Sequence, residues 1–542
     1  MHYLTRPITR INTLAKAHYK RLLALLLFLT PVIYCLPDSN YTSTGYFGTL
    51  NLLLLIFALS IKSILEKPFK IVLLASVLVT YLSIAISGGM LSSGAFHSII
   101  DTTTLEIIGY IPLISWPTII ITLMVFGCGS YCFYTATISL SSHYKYLLLA
   151  SIISVTFSLP CYRYFVDPSF KQSIKQDYFN ALYSFSDMPA YNLYRVAITS
   201  FRERYLSQQP YGIELPSHIS FSPIASSNQS DIIVIIGESS RRLSYSVYGY
   251  GIDSTPKMKK RLKSGSNFIA VDKVYSPAPN TRESIARTLS FATSNTYLRE
   301  GLEYQTLLDI MQKAGYLTVW ITTQDLYTRW DTYSAKIANS AQKIIAGTSN
   351  GKTWTDQRAI ETALLELAKP EKSFVIVHLW GEHSDYSIRN NQPLPATSIQ
   401  AIERQIDSES PLNNIEVSYL SSIHHTDSIV DSVFSYIDST QDHDLAIYFS
   451  DHGEVIGKGH GLIPINISSE LGIPFVIQGE LSAKLSEQIN NFRDISKGIF
   501  NTSFFPEVMI NTLGGKAERT DDVDLLSYFS IQGYPENINY SP

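Results

Sequence analysis

The chain has 542 residues, 45% hydrophobic and 16% charged, with a formal net charge of −4. That length exceeds one ordinary domain, and the composition is apolar even for a protein with a large core, so part of the chain is expected in lipid. No long basic run appears, which excludes the electrostatic footprint of a nucleic-acid partner.

Five apolar segments precede residue 166, at about 20–36, 46–65, 69–88, 111–138 and 146–165. Each is near the roughly 20 residues a helix needs to cross a bilayer. They predict a transmembrane domain of five helices over residues 1–165. The first segment is followed by Tyr34-Cys35-Leu36-Pro37 rather than a small-residue cleavage site, so a retained anchor is expected instead of a signal peptide. Arg6, Arg10, Lys16, Lys20 and Arg21 precede the first span, Lys62, Lys67 and Lys70 lie between the second and third, and Lys145 between the fourth and fifth. The loops 37–45 and 89–110 contain neither Lys nor Arg. The positive-inside rule then places the N-terminus in the cytoplasm and everything after residue 166 on the far side.

All four cysteines, Cys35, Cys128, Cys132 and Cys161, lie in or beside these segments. The chain beyond Cys161 therefore carries no disulfide framework and no thiolate metal site. Cys128 and Cys132 have a helical spacing, but in an apolar segment they read as small membrane-helix residues. Residues 166–230 spread aromatics through polar sequence and end in a Ser/Pro-rich stretch from Ser217 to Ser230. They predict interfacial helices followed by a linker.

From residue 231 to 542 the periodicity changes. Apolar runs at 231–237, 317–322, 373–380, 445–449 and 473–478 alternate with helical patterns at 305–315, 355–369 and 414–437, which predicts a soluble α/β domain with a mostly parallel sheet. In such sheets ligands gather at the carboxyl ends of the strands. The run "DIIVIIG" delivers Glu238, "SFVIVHLW" empties into Gly381, Glu382 and His383, and "LAIYFS" is followed at once by Asp451 and His452, with His460 in the next loop. Three strands thus discharge acids and imidazoles towards one rim. Carboxylates and imidazoles without sulfur suit a zinc-like divalent ion, and the remaining histidines a second ion or a phosphate. Each residue also has a plainer role. Glu238 could be a helix N-terminal charge, Asp451 and His452 turn residues, and His378, inside its strand, reads as a core histidine. His424 and His425, mid-helix, read as solvent or packing residues.

A metal site needs a group to activate. In "SPAPNTRESIARTLSFATS" Pro277 and Pro279 hold off helix formation, and Thr281 stands at the start of an amphipathic helix. It is either the N-cap or a nucleophile whose phosphorylated form the helix N-terminus would favour.

With these residues in view, "IGESSRR…YGYGIDSTP", "PNTRES", "HLWGEH" and "SDHGE…GHG", in that order after five spans, resemble the bacterial inner-membrane phosphoethanolamine transferases of the alkaline phosphatase superfamily. That family includes enzymes that modify lipid A and lipooligosaccharide. The resemblance implies a sulfatase-like catalytic domain holding one zinc ion, or two, on Glu238, Thr281, Asp451 and His452, with Thr281 as nucleophile. It implies that His383 and His460 contact the phosphoethanolamine group or a second zinc. The loop "IIDTTTLEIIGYIP" resembles the family's Thr-x-x-x-Glu element, which implies a lipid-headgroup role for Thr102 and Glu106, although Thr and Glu near a helix start also make a common cap. The implied donor is phosphatidylethanolamine, the implied acceptor a lipid or glycan of the cell envelope, and the implied location the inner membrane with a periplasmic catalytic domain.

One departure bears on the acceptor. Lipid A-modifying members commonly carry several disulfides in the catalytic domain, and this domain has no cysteine, which leaves core sugars, periplasmic glucans or a protein as acceptors beside lipid A. Three other functions compete with this one. A membrane-anchored phosphoglycerol transferase or phosphodiesterase would use the same threonine and metal on another donor. A sulfatase would draw its nucleophile from Cys or Ser in a Cys/Ser-x-Pro-x-Arg setting, which "NTRES" is not. A non-catalytic membrane protein binding envelope components would be expected to lack a ligand position, and every expected position is filled.

Overall fold

A computed structural model describes residues 18–31, 41–87, 115–176 and, with short gaps, 178–519. Thr102 and Glu106 lie outside the described residues. The chain divides into two compact units, one reaching Phe201 and the other running from Arg202 onward.

In the first unit each of the five predicted segments overlaps a helix, at 18–31, Tyr41–Ser60, Glu66–Ser87, Trp116–Thr135 and Ser142–Val166. Among the described residues three of these are long and apolar enough to cross a membrane, and the apolar part of the second is the shorter run Gly48–Ser60. Leu27, Phe28, Leu54, Leu73, Val77 and Phe133 pack together between them. Arg21 donates to Thr137 O at 2.9 Å, and the buried Lys70 lies 3.3 Å from Ala136 O and 2.9 Å from Glu66 Oε1. The two cations answer carbonyls at the end of the fourth helix, where the helix dipole is negative. They also bring the starts of the first and third helices to the end of the fourth.

The second unit is built on a seven-stranded sheet. Its strands are β1 (Ile232–Gly237), β2 (Phe268–Ala270), β3 (Leu317–Thr322), β4 (Lys343–Ala346), β5 (Ser373–His378), β6 (Leu445–Ser450) and β7 (Phe475–Gly479). The spatial order is β2-β7-β6-β1-β5-β3-β4. Pairing is parallel from β6 through β1, β5 and β3 to β4, whereas β7 runs antiparallel to both β6 and β2. The central strands are continuous apolar runs because helices cover both faces. The period of two divides them. Ile232, Val234, Ile236, Phe374, Ile376, Leu445, Ile447 and Phe449 join one core with Ile285 and Leu289, which belong to the helix Thr281–Thr288 and its C-cap. Ile233, Ile235, Val375, Val377, Ala446 and Tyr448 join the other, against the helices Asp356–Leu367 and Asn414–Ser439.

The five predicted strands and three predicted helices are present, the helices at Leu307–Lys313, Asp356–Leu367 and Asn414–Ser439. The sequence pattern omits β2 and β4, edge strands of three and four residues that are partly exposed and have no long apolar run. The predicted linker contains the strand Ile219–Ser222, paired antiparallel with Lys516–Arg519. A short two-stranded ribbon needs only half-buried alternation, which a Ser-rich stretch conceals.

Candidate active site

The strands that supply the predicted residues are neighbours, β6-β1-β5, with β3 next to β5. Parity does the rest. Glu238 continues the face of Val234 and Ile236 because it follows Ile236 by two, and Asp451 follows Phe449 likewise. His378 shares that face, two residues beyond Ile376.

The result is one buried cluster. Ligand-type atoms of Glu238, His378 and Asp451 lie within 4.8 Å of one another, as do those of Glu238, His452 and His460. His452 Nε2 is 3.0 Å from Glu238 Oε1 and 3.5 Å from Asp451 Oδ2, while its Nδ1 is fixed 2.8 Å from Gly453 O. Asp451 Oδ1 accepts from the His452 backbone N–H at 2.7 Å, but its buried Oδ2 has no hydrogen-bond partner among the described residues. His383 is in ring contact with His460 at 6.0 Å, and His460 with His452 at 4.3 Å. The predicted outer pair therefore stands together beside the acidic cluster.

Thr281 begins its helix without capping it. Asn280 is the N-cap, its side chain accepting from Glu283 N at 3.0 Å. The capping alternative read from the sequence is thus filled by the preceding residue. The half-buried Thr281 hydroxyl instead donates to Glu238 Oε2 at 2.9 Å, 3.3 Å from His452 Nε2. The site is braced from behind. Asp356 accepts from the N–H groups of Trp380 and Gly381 at 2.9 and 3.0 Å and from Thr323 Oγ1 at 2.8 Å, tying the loops after β5 and β3 together.

Two residues near the cluster escape the sequence pattern. His378, which reads as a core histidine, is buried and faces the carboxylates, and among the described residues neither ring nitrogen has a hydrogen-bond partner; its parity with Ile376 is the available signal. Gln324 donates to Glu238 Oε2 at 2.9 Å and to Leu379 O at 2.8 Å, and a lone glutamine after a strand gives no such signal. His424 bonds Ser398 Oγ at 3.2 Å, in keeping with a packing role.

Burial opposes ionisation of Glu238, yet the neighbouring His452 charge outweighs it and holds the carboxyl well below its usual range. Burial and the Glu238 charge push Asp451 well above its own. His452 is raised to about 9 because Asp451 and Glu238 overcome its burial, whereas burial pulls His378 down to about 4. Two buried carboxyl groups thus meet with a proton needed between them, and Asp451 Oδ2 is left unbonded. A divalent cation is the chemistry that lets both ionise, and the oxygen and nitrogen donors fit a borderline ion such as zinc.

Residues 230–509, more than half of the chain, match the sulfatase family. The chain belongs to that family. Among curated relatives, phosphoethanolamine transferase EptC of Escherichia coli (strain RS218) is 27% identical over 261 residues, covering 45% of this chain and 42% of the relative. Phosphoethanolamine transferase EptA of Helicobacter pylori is 26% identical over 270 residues, covering 47% and 49%. The chain thus spans about half the length of the curated relatives it matches, or less. The solved structure of the integral membrane lipooligosaccharide phosphoethanolamine transferase EptA of Neisseria meningitidis aligns over 94% of this chain and 97% of its own, with 15% identity and a TM-score of 0.58. That likeness bears out the predicted fold, apolar N-terminal helices followed by an α/β domain with a mostly parallel central sheet. In this member of the sulfatase family the cluster sits where α/β sheets place ligands, at the carboxyl ends of adjacent parallel strands.

Proposed function

We propose that the protein transfers phosphoethanolamine from phosphatidylethanolamine to an acceptor of the bacterial envelope through a phosphothreonine at Thr281. The observation that carries this reading is the Thr281 hydroxyl, half-buried at a helix N-terminus and bonded to Glu238 within reach of His452. Curated relatives named phosphoethanolamine transferases support the same group as cargo.

In this reading Glu238, Thr281, Asp451 and His452 would hold zinc, one ion or two, which would supply Lewis-acid activation of the threonine hydroxyl and charge stabilisation at the phosphate. Thr281 Oγ1 attacks phosphorus and the bond to the diacylglycerol oxygen breaks; the threonine proton, directed at Glu238 Oε2, is passed on to the departing diacylglycerol. The positive end of the helix dipole favours the anionic phosphoryl group. His383 and His460 flank that group, and an acceptor hydroxyl oxygen then attacks phosphorus as the Thr281 Oγ1–phosphorus bond breaks, the acceptor's proton returning to Thr281 Oγ1. Residues 1–165 form the transmembrane domain, 166–230 the interfacial connection and 231–542 the periplasmic catalytic domain at the inner membrane. Thr102 and Glu106 serve the donor headgroup on the strength of the motif resemblance.

The test is mass spectrometry of envelope lipids and glycans from cells with and without the active protein, together with diacylglycerol release by the purified full chain. A phosphoethanolamine mass addition and diacylglycerol from phosphatidylethanolamine are expected. Diacylglycerol from phosphatidylglycerol alone would replace this reading with phosphoglycerol transfer, and no product from either donor would refute it.

A further inference from the structure

Glu454 belongs to the "SDHGE" run, yet the proposed reaction gives it no part. It is fully buried, two residues beyond His452. The chain turns back on itself immediately afterwards: Val455 and Gly459 exchange hydrogen bonds in both directions at 3.0 Å, which returns His460 to the side of Glu454. His460 Nδ1 then lies 3.5 Å from Glu454 Oε2. That is longer than a good hydrogen bond, and neither atom has a hydrogen-bond partner among the described residues. The other oxygen, Oε1, accepts from the Tyr386 hydroxyl. Tyr386 is itself fixed, buried in an edge-to-face contact with Tyr419 at 5.1 Å, with Gly457 N donating to its oxygen at 3.3 Å.

These contacts make one device. A carboxyl group clamped by a tyrosine faces one nitrogen of an imidazole, while the same ring packs 4.3 Å from His452. A side chain placed against Nδ1 restricts how the ring can turn, the means by which acids behind functional histidines fix the ring plane and the nitrogen presented to a ligand. We infer that Glu454, held by Tyr386, is a positioning residue that orients His460 for the phosphoethanolamine group. The inference rests on the transferase reading. Glu454 acts through His460 and does not itself touch the donor.

The experiment is a double-mutant cycle on the full-length protein in detergent, following diacylglycerol release from phosphatidylethanolamine under single-turnover conditions so that slow variants stay measurable. Glu454→Gln is expected to slow turnover about 10–100-fold, with the apparent donor affinity and zinc content close to wild type. In a His460→Asn background the same substitution should cost less than about threefold, because the residue it positions is gone. Tyr386→Phe, which removes one hydroxyl and keeps the ring, should show a smaller loss that also vanishes in that background, and it serves if Glu454→Gln does not fold. Equal losses in the two backgrounds, or wild-type turnover for both variants, would overturn the inference. A wild-type protein that releases no diacylglycerol would instead refute the transferase reading.

Discussion

Asn280 and Thr281 are adjacent, and the structure gives them separate duties that a pair of alanine substitutions can resolve. Asn280→Ala removes the N-cap acceptor of Glu283 N, at 3.0 Å, which costs about 0.5–2 kcal/mol. For a domain of this size that lowers the unfolding midpoint by about 1–2 °C per kcal/mol. Thr281→Ala removes a half-buried hydroxyl that donates to Glu238, at 2.9 Å. Alanine is the better helix former, by about half a kcal/mol, so the net stability change stays within about 1 kcal/mol. Turnover should invert that order. Loss of a covalent nucleophile removes on the order of 10⁴-fold or more, at least about 5 kcal/mol of transition-state stabilisation, whereas the cap variant should stay within about tenfold of wild type. Diacylglycerol release and thermal unfolding measured on both variants decide the matter. Thr281→Ser should keep some activity, and wild-type protein given donor without acceptor should carry a phosphoethanolamine adduct on the peptide containing Thr281. If Thr281→Ala turns over within about tenfold of wild type, or if Asn280→Ala loses as much as Thr281→Ala, the covalent mechanism is wrong.

Asp451→Ala should fold and lose most of the zinc measured by elemental analysis, because it deletes a buried carboxylate oxygen that lacks a hydrogen-bond partner among the described residues; unchanged zinc would remove Asp451 from the ligand set. Gly381 has φ +56°, and a Cβ there would lie 2.4 Å from Glu238 N, so Gly381→Ala should displace Glu238 and abolish both zinc binding and turnover, and normal values for both would contradict the packing. His378 has its folded-state pKa at about 4, below the ordinary 6.5, so the unfolded chain binds the extra proton. In chelator-treated protein the resulting stability, up to about 3 kcal/mol, is present above about pH 6.5 and lost as pH falls towards about 4; His378→Gln should flatten that stretch of the denaturation profile, and an unchanged profile would argue against it. A periplasm-dependent reporter fused after residue 230 should be active, and activity only of a cytoplasmic reporter would reverse the proposed orientation.

The central strands are legible in the sequence because each is buried on both faces, which writes an uninterrupted apolar run into the chain. Their end residues are legible for a related reason: Glu238, Asp451 and His452 are abrupt polar entries after such runs. The edge strands β2 and β4 and the ribbon strand Ile219–Ser222 are short and half-exposed, so their sequences carry little pattern. Asn280 is hidden because both it and Thr281 are good caps, and only the hydrogen bond to Glu283 N tells them apart. Gln324 depends on how the loop after β3 meets Glu238, a tertiary fact with no local signature.

His378 shows where local pattern stops one step short. A lone histidine inside a strand is usually packed, and nothing in its own segment says otherwise. Its register does. His378 pairs with Ile236 in the parallel ladder, and Ile236 is two residues before Glu238, so both side chains emerge on the same face within one step of the sheet's edge. Phe449, also level with Ile236, stands in the same relation to Asp451. Three adjacent strands with matched parity therefore converge three polar side chains that no one of them would specify alone. Thr281 comes from a helix packed on that same face through Ile285 and Leu289, which is why its hydroxyl meets a carboxylate delivered by a strand end while remaining only half-buried.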